Sequence, residues 1–600
     1  MSNRRTLADH MPMGPGRHMM GGPAQAPKNK RKIVRWLWTY LVTYRLGLAG
    51  VTVLVALSTG LALLGPYLIG RAIDEGIAKG DLRALAVTAG MMLAVYVLSA
   101  AGSWAQSVAM IRISQSIVRD MRRDLFGHVQ GLSLRFFDRH PHGELMSRLS
   151  NDTDLISNTL ANSVTQLINS VLSVVGAGVM MFSMSWRLAA VSLVTLPLVL
   201  LVTRSLAART REGFAMRQEA LGKLNGIVEE SIAGQRVTKA CCRERESIDK
   251  FAVANVGLRD SAMKAVIVMG MMGPVMNLFR NTGLAVVAGA GGWMAAQGMI
   301  TVGTVAAIIN YSDYFNRPLY QLASIYGSIQ AALAGADRVH EVLLEEPESE
   351  GGPEAVAMAE VRGEVEFDSV SFSYVEGTPV LTDVGFQVEP GQTVALVGST
   401  GAGKTTIINL LTRFYDVDSG AIRVDGHDVR QVRRGSLRKA LGIVLQDTFL
   451  FTGTVRENLR YGRLDATDEQ IENAARLANA ESFIKHLPHG YETILSDAGS
   501  NLSQGQRQLL AIARTLLADP AILILDEATS SVDTLTEVHI QQAMHRLMHG
   551  RTSFIIAHRL NTIQQADCIF VMAHGQIVER GTHAQLMEQH GAYHRLYGGA

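Results

Sequence analysis

GSTGAGKT, residues Gly398–Thr405, follows the apolar run TVALV (Thr393–Val397) and opens the stretch TTIINLLTRF (Thr405–Phe414). A short apolar run, a glycine-rich turn and a longer apolar-periodic run predict strand, loop and helix in that order. The spacing of glycine, four residues and Gly-Lys-Thr is that of a loop that holds phosphates. Glycines let the backbone curl until several N–H groups face one anion, and the following helix turns its positive dipole end to the same point. Gly398, Ser399, Thr400, Gly401, Ala402 and Gly403 are the expected lining of that anion site, with Thr406 just inside the helix. Lys404 is expected to reach the β- and γ-phosphates of a nucleotide, and Thr405 to offer its hydroxyl to Mg²⁺.

The rest of the chain cannot be one soluble core. It has 600 residues, enough for at least two domains. Hydrophobic residues make up 48% and charged ones 18%, below the roughly 25% usual for soluble proteins, so a membrane part joined to a soluble part is expected. A net charge of +2 argues against a nucleic-acid-binding surface. Adjacent Cys241 and Cys242 and the distant Cys568 lack zinc-ligand spacing and read as reduced thiols. Residues 1–32 form a polar Gly/Pro/Met/His-rich tail, expected to be disordered.

Long uncharged runs follow the tail: Leu46–Gly70, Ala84–Ile111, Leu155–Trp186, Leu188–Thr203, and two within Ala265–Ser312 broken only by Arg280. A span needs about 20 apolar residues. Six membrane helices are therefore expected, near 46–70, 84–111, 157–184, 187–206, 265–296 and 300–324. The intervening stretches 112–154 and 204–264 carry 7 and 12 Lys/Arg, against three in 71–83. Positive residues collect in the cytoplasm, so these two stretches and both termini are expected there. Their helical patterning predicts helices that continue well beyond the bilayer. Arg280 and Asp313 lie at similar depth within the fifth and sixth segments, and are expected to pair or to line a cavity.

From about Glu345 the composition changes to an acidic linker, then to alternating strand and helix patterns. AILILDE (Ala521–Glu527) is an apolar strand ending in two carboxylates. Asp526 is placed to organise Mg²⁺, and Glu527 to polarise an attacking water. NLSQGQRQLLAIARTLL (Asn501–Leu517) has Ser503 opening a helix, and this stretch resembles the signature of ATP-binding cassette (ABC) proteins. The resemblance brings ATP as the nucleotide and assigns further residues. Tyr374 resembles the aromatic that stacks on adenine, and Gln446 the glutamine that contacts Mg²⁺ and the water. Ser503, Gln504, Gly505 and Gln506 resemble the signature residues that meet the nucleotide, Asp533 belongs to the loop exchanged across a dimer, and His558, 31 residues after Glu527, resembles the γ-phosphate histidine.

The resemblance covers nearly the whole chain. It implies an α-helical membrane domain of six transmembrane helices, type IV ABC exporter-like, fused to an α/β phosphate-loop nucleotide-binding domain. The expected division is tail 1–32, membrane domain 33–330 with two long cytoplasmic coupling loops, linker 331–360 and ABC ATP-binding domain 361–600. It also implies ATP-driven export of hydrophobic or amphipathic compounds, drugs or lipids, by alternating access across a plasma membrane. The competing expectation is an ATP-gated or regulatory membrane protein without net transport. Its partners would be a second half-transporter, membrane lipid and the cargo, with no nucleic acid. Two departures stand out: the signature reads LSQGQ rather than LSGGQ, and Asp497 stands where the family has a Gly-Glu pair. Both resemble one subunit of bacterial heterodimeric exporters, the one that keeps a competent phosphate-loop half and completes a degenerate site in its partner. A second copy of the same chain is the other expectation.

Overall fold

The computed structural model describes residues 30–194, 196–351, 355–446, 448–496, 499, 501–526, 534–557 and 560–597. The chain divides into two compact units. The first holds the long helices, up to Glu346. The second holds Pro347–Ala600, with Ser133–Phe136 grouped to it.

In the first unit a short basic helix, α1 (Lys30–Thr43), leads into α2 (Arg45–Ile77), α3 (Leu82–Gln130), α4 (His142–Leu193), α5 (Leu196–Ala233), α6 (Glu244–Ala296) and α7 (Val302–Leu344). Among the described residues, α2, α3, α4 and α6 are long and apolar enough to cross a membrane. Helix α4 holds the third expected segment and the start of the fourth, the rest of which runs into α5. The two segments are divided where the α4 backbone leaves the helical region at Ser185 (φ −160°, ψ 103°). There Ser185 Oγ accepts from Leu188 N at 3.4 Å, as an N-cap does for a new helix. The break thus falls two residues before the turn expected at Arg187. Helix α3 has 49 residues, α6 has 53 and α7 has 43. At 1.5 Å per residue each is about 65–80 Å long, more than twice the roughly 30 Å apolar slab, which accounts for the long polar excursions. Helix α7 runs to Leu344, through the first part of the stretch assigned to the linker.

Polar and small residues hold these helices together where lipid offers no hydrophobic gradient. Gly70 of α2 and Gly303 of α7 meet backbone to backbone, and a Cβ built on Gly303 would lie 2.1 Å from Gly70 O. Asp74 closes the same contact, accepting from Gly303 N at 2.8 Å and from the Thr301 hydroxyl at 2.6 Å. Lower down, Tyr311 is fully buried and donates to Leu63 O at 2.6 Å. Near the end of α7, Arg338 forks onto the buried Asp152 carboxylate, with Nε at 2.9 Å and Nη2 at 2.5 Å.

Among the described residues the second unit carries two larger sheets and a two-stranded ribbon of Gly453–Thr454 with Ile494–Leu495. The antiparallel larger sheet has the order β2 (Leu381–Val388), β1 (Val365–Phe372), β4 (Ser419–Val424), β5 (His427–Asp428). The other has the order β10 (Gln576–Gly581), β9 (Cys568–Ala573), β3 (Thr393–Gly398), β8 (Thr552–Ile556), β7 (Ile522–Asp526), β6 (Leu441–Val444). Its strands are parallel except for the β10 edge. Val394–Val397 and Ile522–Leu525 are wholly buried, as expected for parallel strands covered on both faces. Cys241, Cys242 and Cys568 are free.

Candidate active site

Strand β3 ends at Gly398, and helix α8 (Lys404–Leu411) begins after a five-residue loop. Gly398 has φ 151° and Gly403 φ 102°, conformations that exclude a side chain at low cost. A Cβ on Gly398 would lie 2.3 Å from Met572 O, and one on Gly403 2.7 Å from a Leu381 methyl. The loop is thus wedged between β9 and β2 and cannot widen. Ser399, Thr400, Gly401 and Thr405 form its exposed rim, whereas Ala402, Lys404 and Thr406 are buried. Lys404 folds back into the loop, donating from Nζ to Gly398 O at 2.6 Å and Ser399 O at 3.0 Å. Burial pushes its pKa down, and the nearby Asp526 carboxylate opposes the shift. A desolvated ammonium whose hydrogen bonds among the described residues go to neutral carbonyls is a site that an anion would complete.

The sheet register sets the other groups. Ile556 pairs with Leu396 on one side and Asp526 on the other, so Asp526 leaves β7 almost level with the phosphate loop. Val444 pairs with Leu525, which brings Gln446 out of the sheet one residue beyond the level of Asp526. Gln446 is exposed and Asp526 half-buried. The carboxyl ends of parallel strands are where such sheets bind ligands. Glu527, Asp533 and His558 lie outside the described residues; in sequence Glu527 directly follows β7, Asp533 stands seven residues after it, and His558 stands two residues after β8. Asp497 also lies outside them.

Tyr374 stands beside the loop. Its hydroxyl accepts from Asn409 Nδ2 at 2.9 Å and lies 3.4 Å from Thr406 Oγ1. Phe372 and Tyr415 meet it edge-on, with centroids at 4.9 and 5.0 Å. The ring is therefore locked to the helix that carries Lys404. Ser503 caps α9 (Gln504–Ala518) in a closed capping box: its Oγ accepts from Gln506 N at 3.2 Å, and Gln506 Oε1 accepts from Ser503 N at 3.0 Å. Ser503 is exposed, Gln504 and Gln506 are half-buried and Gly505 is buried.

One group beside the site has no counterpart in the sequence expectations. Arg514 of α9 donates from Nε to Asn458 O at 2.9 Å, from Nη2 to Asn458 Oδ1 at 3.1 Å and from Nη1 to Phe449 O at 3.3 Å. It lies against Phe451 and Tyr461 at 5.9 and 5.6 Å. Asn458 in turn holds Phe451 by both backbone groups at 2.8 Å. This brace fixes the segment that leaves Gln446. The partners are 56 residues apart, so no local pattern announces them.

In the first unit, Ser192, Arg280, Asn281, Ser312, Asp313 and Asn316 line a cavity of about 210 Å³. Arg280 and Asp313 share that cavity without coming within 4.0 Å of each other. The lining expected for the pair is present, and direct pairing is not.

The profile of the ABC transporter transmembrane region matches residues 48–319, and a second ABC transporter profile matches residues 381–530. The chain belongs to the ABC transporter family. Within it, this half-transporter is 45% identical to the Bacillus subtilis ABC transporter ATP-binding protein YfiC over 95% of its own length and 94% of that protein. It is 44% identical to the Mycobacterium tuberculosis fatty acid ABC transporter ATP-binding/permease protein, over 86% and 82%. It is 35% identical to the Salmonella typhimurium ATP-dependent lipid A-core flippase, over 94% and 97%. A bacterial Atm1-family ABC exporter solved with ATP bound superposes with a TM-score of 0.75 at 30% identity, over 93% and 98% of the two chains. The half-transporter thus has the type IV exporter fold, and its nucleotide domain is an ATP hydrolase coupled to transport across a membrane.

Proposed function

We propose that this chain is half of a dimeric exporter that uses ATP hydrolysis to move hydrophobic or amphipathic compounds, lipids among them, across the plasma membrane by alternating access. The observation that carries this reading is the buried Lys404 ammonium in a loop too tight to hold anything bulkier than glycine at Gly398 and Gly403, fused to long apolar helices. Relatives named for fatty acid transport and lipid A-core flipping support the cargo class. Both termini and the ATP-binding domain face the cytoplasm, supported by the excess of Lys/Arg in 112–154 and 204–264.

The site residues divide by task. The loop from Gly398 to Gly403, with Lys404 and Thr406, holds the ATP phosphates, and Tyr374 packs against adenine. The oxygen donors Thr405, Gln446 and Asp526 suit Mg²⁺, a hard cation that neutralises phosphate charge when bound. Glu527 orients and polarises the attacking water, and His558 contacts the γ-phosphate. Ser503, Gln504, Gly505 and Gln506, with Asp533, meet the nucleotide held by the other half of the dimer. That other half is a different subunit with a degenerate ATP site, a reading supported by Gln504 and Asp497.

ATP turnover in lipid, measured beside native mass, tests this. The chain alone is expected to be folded and nearly silent, and to gain turnover with the partner half, lost again in Glu527→Gln. Full turnover from a homodimer would refute the heterodimer. Turnover without ATP-dependent dye accumulation in inside-out vesicles would favour the gated, non-transporting alternative.

A further inference from the structure

The cavity between the last part of α4, α6 and α7 holds two opposite charges that do not neutralise each other. Arg280 lies about 24 Å along α6 from the turn that joins it to α7, and Asp313 about 17 Å along α7 from the same turn. Both positions fall inside an apolar slab about 30 Å thick. Intramembrane charges turn to a partner or to a wet cavity. Here the other polar linings are neutral: Asn281, Asn316 and the Ser192–Ser312 hydroxyl pair at 2.9 Å. Among the described residues, the side chains of Arg280, Asn281, Asp313 and Asn316 make no hydrogen bond or ion pair.

We propose that this cavity is a headgroup subsite for a zwitterionic amphiphile, with Arg280 taking the phosphate or carboxylate and Asp313 the ammonium. The subsite rests on the export reading above and narrows its cargo. A guanidinium presents a planar fork of donors that matches an oxyacid. A primary ammonium brings three donors to a carboxylate and its neighbouring amide oxygens. A ligand with one sign only would satisfy one wall and leave the other charge desolvated and unpaired. Size agrees with a headgroup alone. A volume of about 210 Å³ falls below the roughly 300–1,000 Å³ of pockets that enclose a whole drug-sized ligand, so the acyl chain must lie outside, along the exposed apolar helix faces.

The test is equilibrium binding to the assembled transporter in nanodiscs, without ATP. Three single-chain probes are compared: lysophosphatidylethanolamine, lysophosphatidylglycerol and dodecylamine, which are zwitterionic, anionic and cationic. The zwitterion is expected to bind at least about tenfold tighter than either other probe, the weight of one charge-assisted contact. Arg280→Gln should weaken the zwitterion and the anion by about tenfold and spare the amine. Asp313→Asn should weaken the zwitterion and the amine and spare the anion. Asp313→Glu keeps the charge and should bind the zwitterion within about threefold of the unaltered protein, whereas Arg280→Lys keeps the charge but not the fork and should fall between the unaltered protein and Arg280→Gln; both guard against a variant that misfolds. Equal binding of the three probes, or equal losses for all three in either variant, would overturn the subsite. ATP-driven transport of a neutral dye is followed in the same preparations. Its absence would count against the export reading, whereas binding alone decides the subsite.

Discussion

Replacing Arg514 by alanine removes three donated bonds, two of them to Asn458, whose side chain is buried. Each such bond to a charged donor is worth about 1.5–3 kcal/mol when its partner stays dry. The carbonyl of exposed Phe449 can recover water, so the three do not sum, and a loss of about 3 kcal/mol is expected. At about 2–4 °C per kcal/mol for a domain of this size, melting of the nucleotide-binding domain within the full chain should fall by about 6–12 °C. The damage should be local first. The Phe451 amide, which donates to Asn458 Oδ1, should exchange with solvent faster, while amides of β3 keep their protection. Arg514→Lys keeps the charge but not the fork, and should recover less than half of the loss. Asn458→Ala should be about as harmful, and the double variant less harmful than the sum by about 1–2 kcal/mol, because the two share bonds. Hydrogen exchange by mass spectrometry and a melting series read both effects. Melting unchanged within about 1 °C, with Phe451 exchange unaltered, would refute the brace.

Other consequences are open to direct measurement. Lys404→Ala should weaken ATP binding by at least about a hundredfold in a nucleotide-binding assay without disturbing the membrane unit, since the ammonium is the only buried cation in the loop among the described residues. His340 is buried against Trp36, with neither ring nitrogen hydrogen-bonded among the described residues, and burial, with Lys32 adding to it and Asp337 opposing, holds its pKa below the ordinary 6.5. The unfolded chain therefore takes up the proton first, and stability should be lost as pH falls from about 6.5 through the folded-state value. His340→Phe should flatten that part of a melting-against-pH curve; an unchanged slope would exclude His340 as its source. Asp152→Asn leaves Arg338 without its carboxylate. A loss of about 1–3 kcal/mol is expected, less than for a fully buried pair because the arginine is 40% exposed. Chemical denaturation of the double variant with Arg338→Gln should show the two losses coupled.

How much of this could be read from residues alone depended on how local the chemistry is. The phosphate loop was legible because its glycines, lysine and threonine act within eight consecutive positions. The capping box at Ser503 and Gln506 was equally local, although only the structure shows it closed. The sequence puts the turn before the fourth membrane segment at Arg187, whereas the backbone breaks at Ser185, two residues earlier, because a hydroxyl can cap a helix and a guanidinium cannot. The end of α7 was hidden for another reason. AALAGADRVHEVLL (Ala331–Leu344) is helical by propensity, yet the acidic composition beyond it drew the boundary early. Arg280 and Asp313 could be set at similar depth by counting residues. The gap between them could not, since it depends on how α6 and α7 are turned about their axes. The Arg514 brace joins segments far apart in sequence and left no periodic trace.

The contact of Gly70 with Gly303 leaves no slack between α2 and α7 at that level. Any motion that carries one past the other must break the Asp74 bonds as well, so this end of the pair behaves as a rivet and the opposite ends as the free blades of a pair of shears. Spin labels near Arg71 and Val302 should then report one unchanging distance through the ATP cycle, a built-in ruler against which every other label pair can be read. In a complete substitution scan these two glycines should tolerate nothing, not even alanine, amid apolar neighbours that accept almost any apolar exchange.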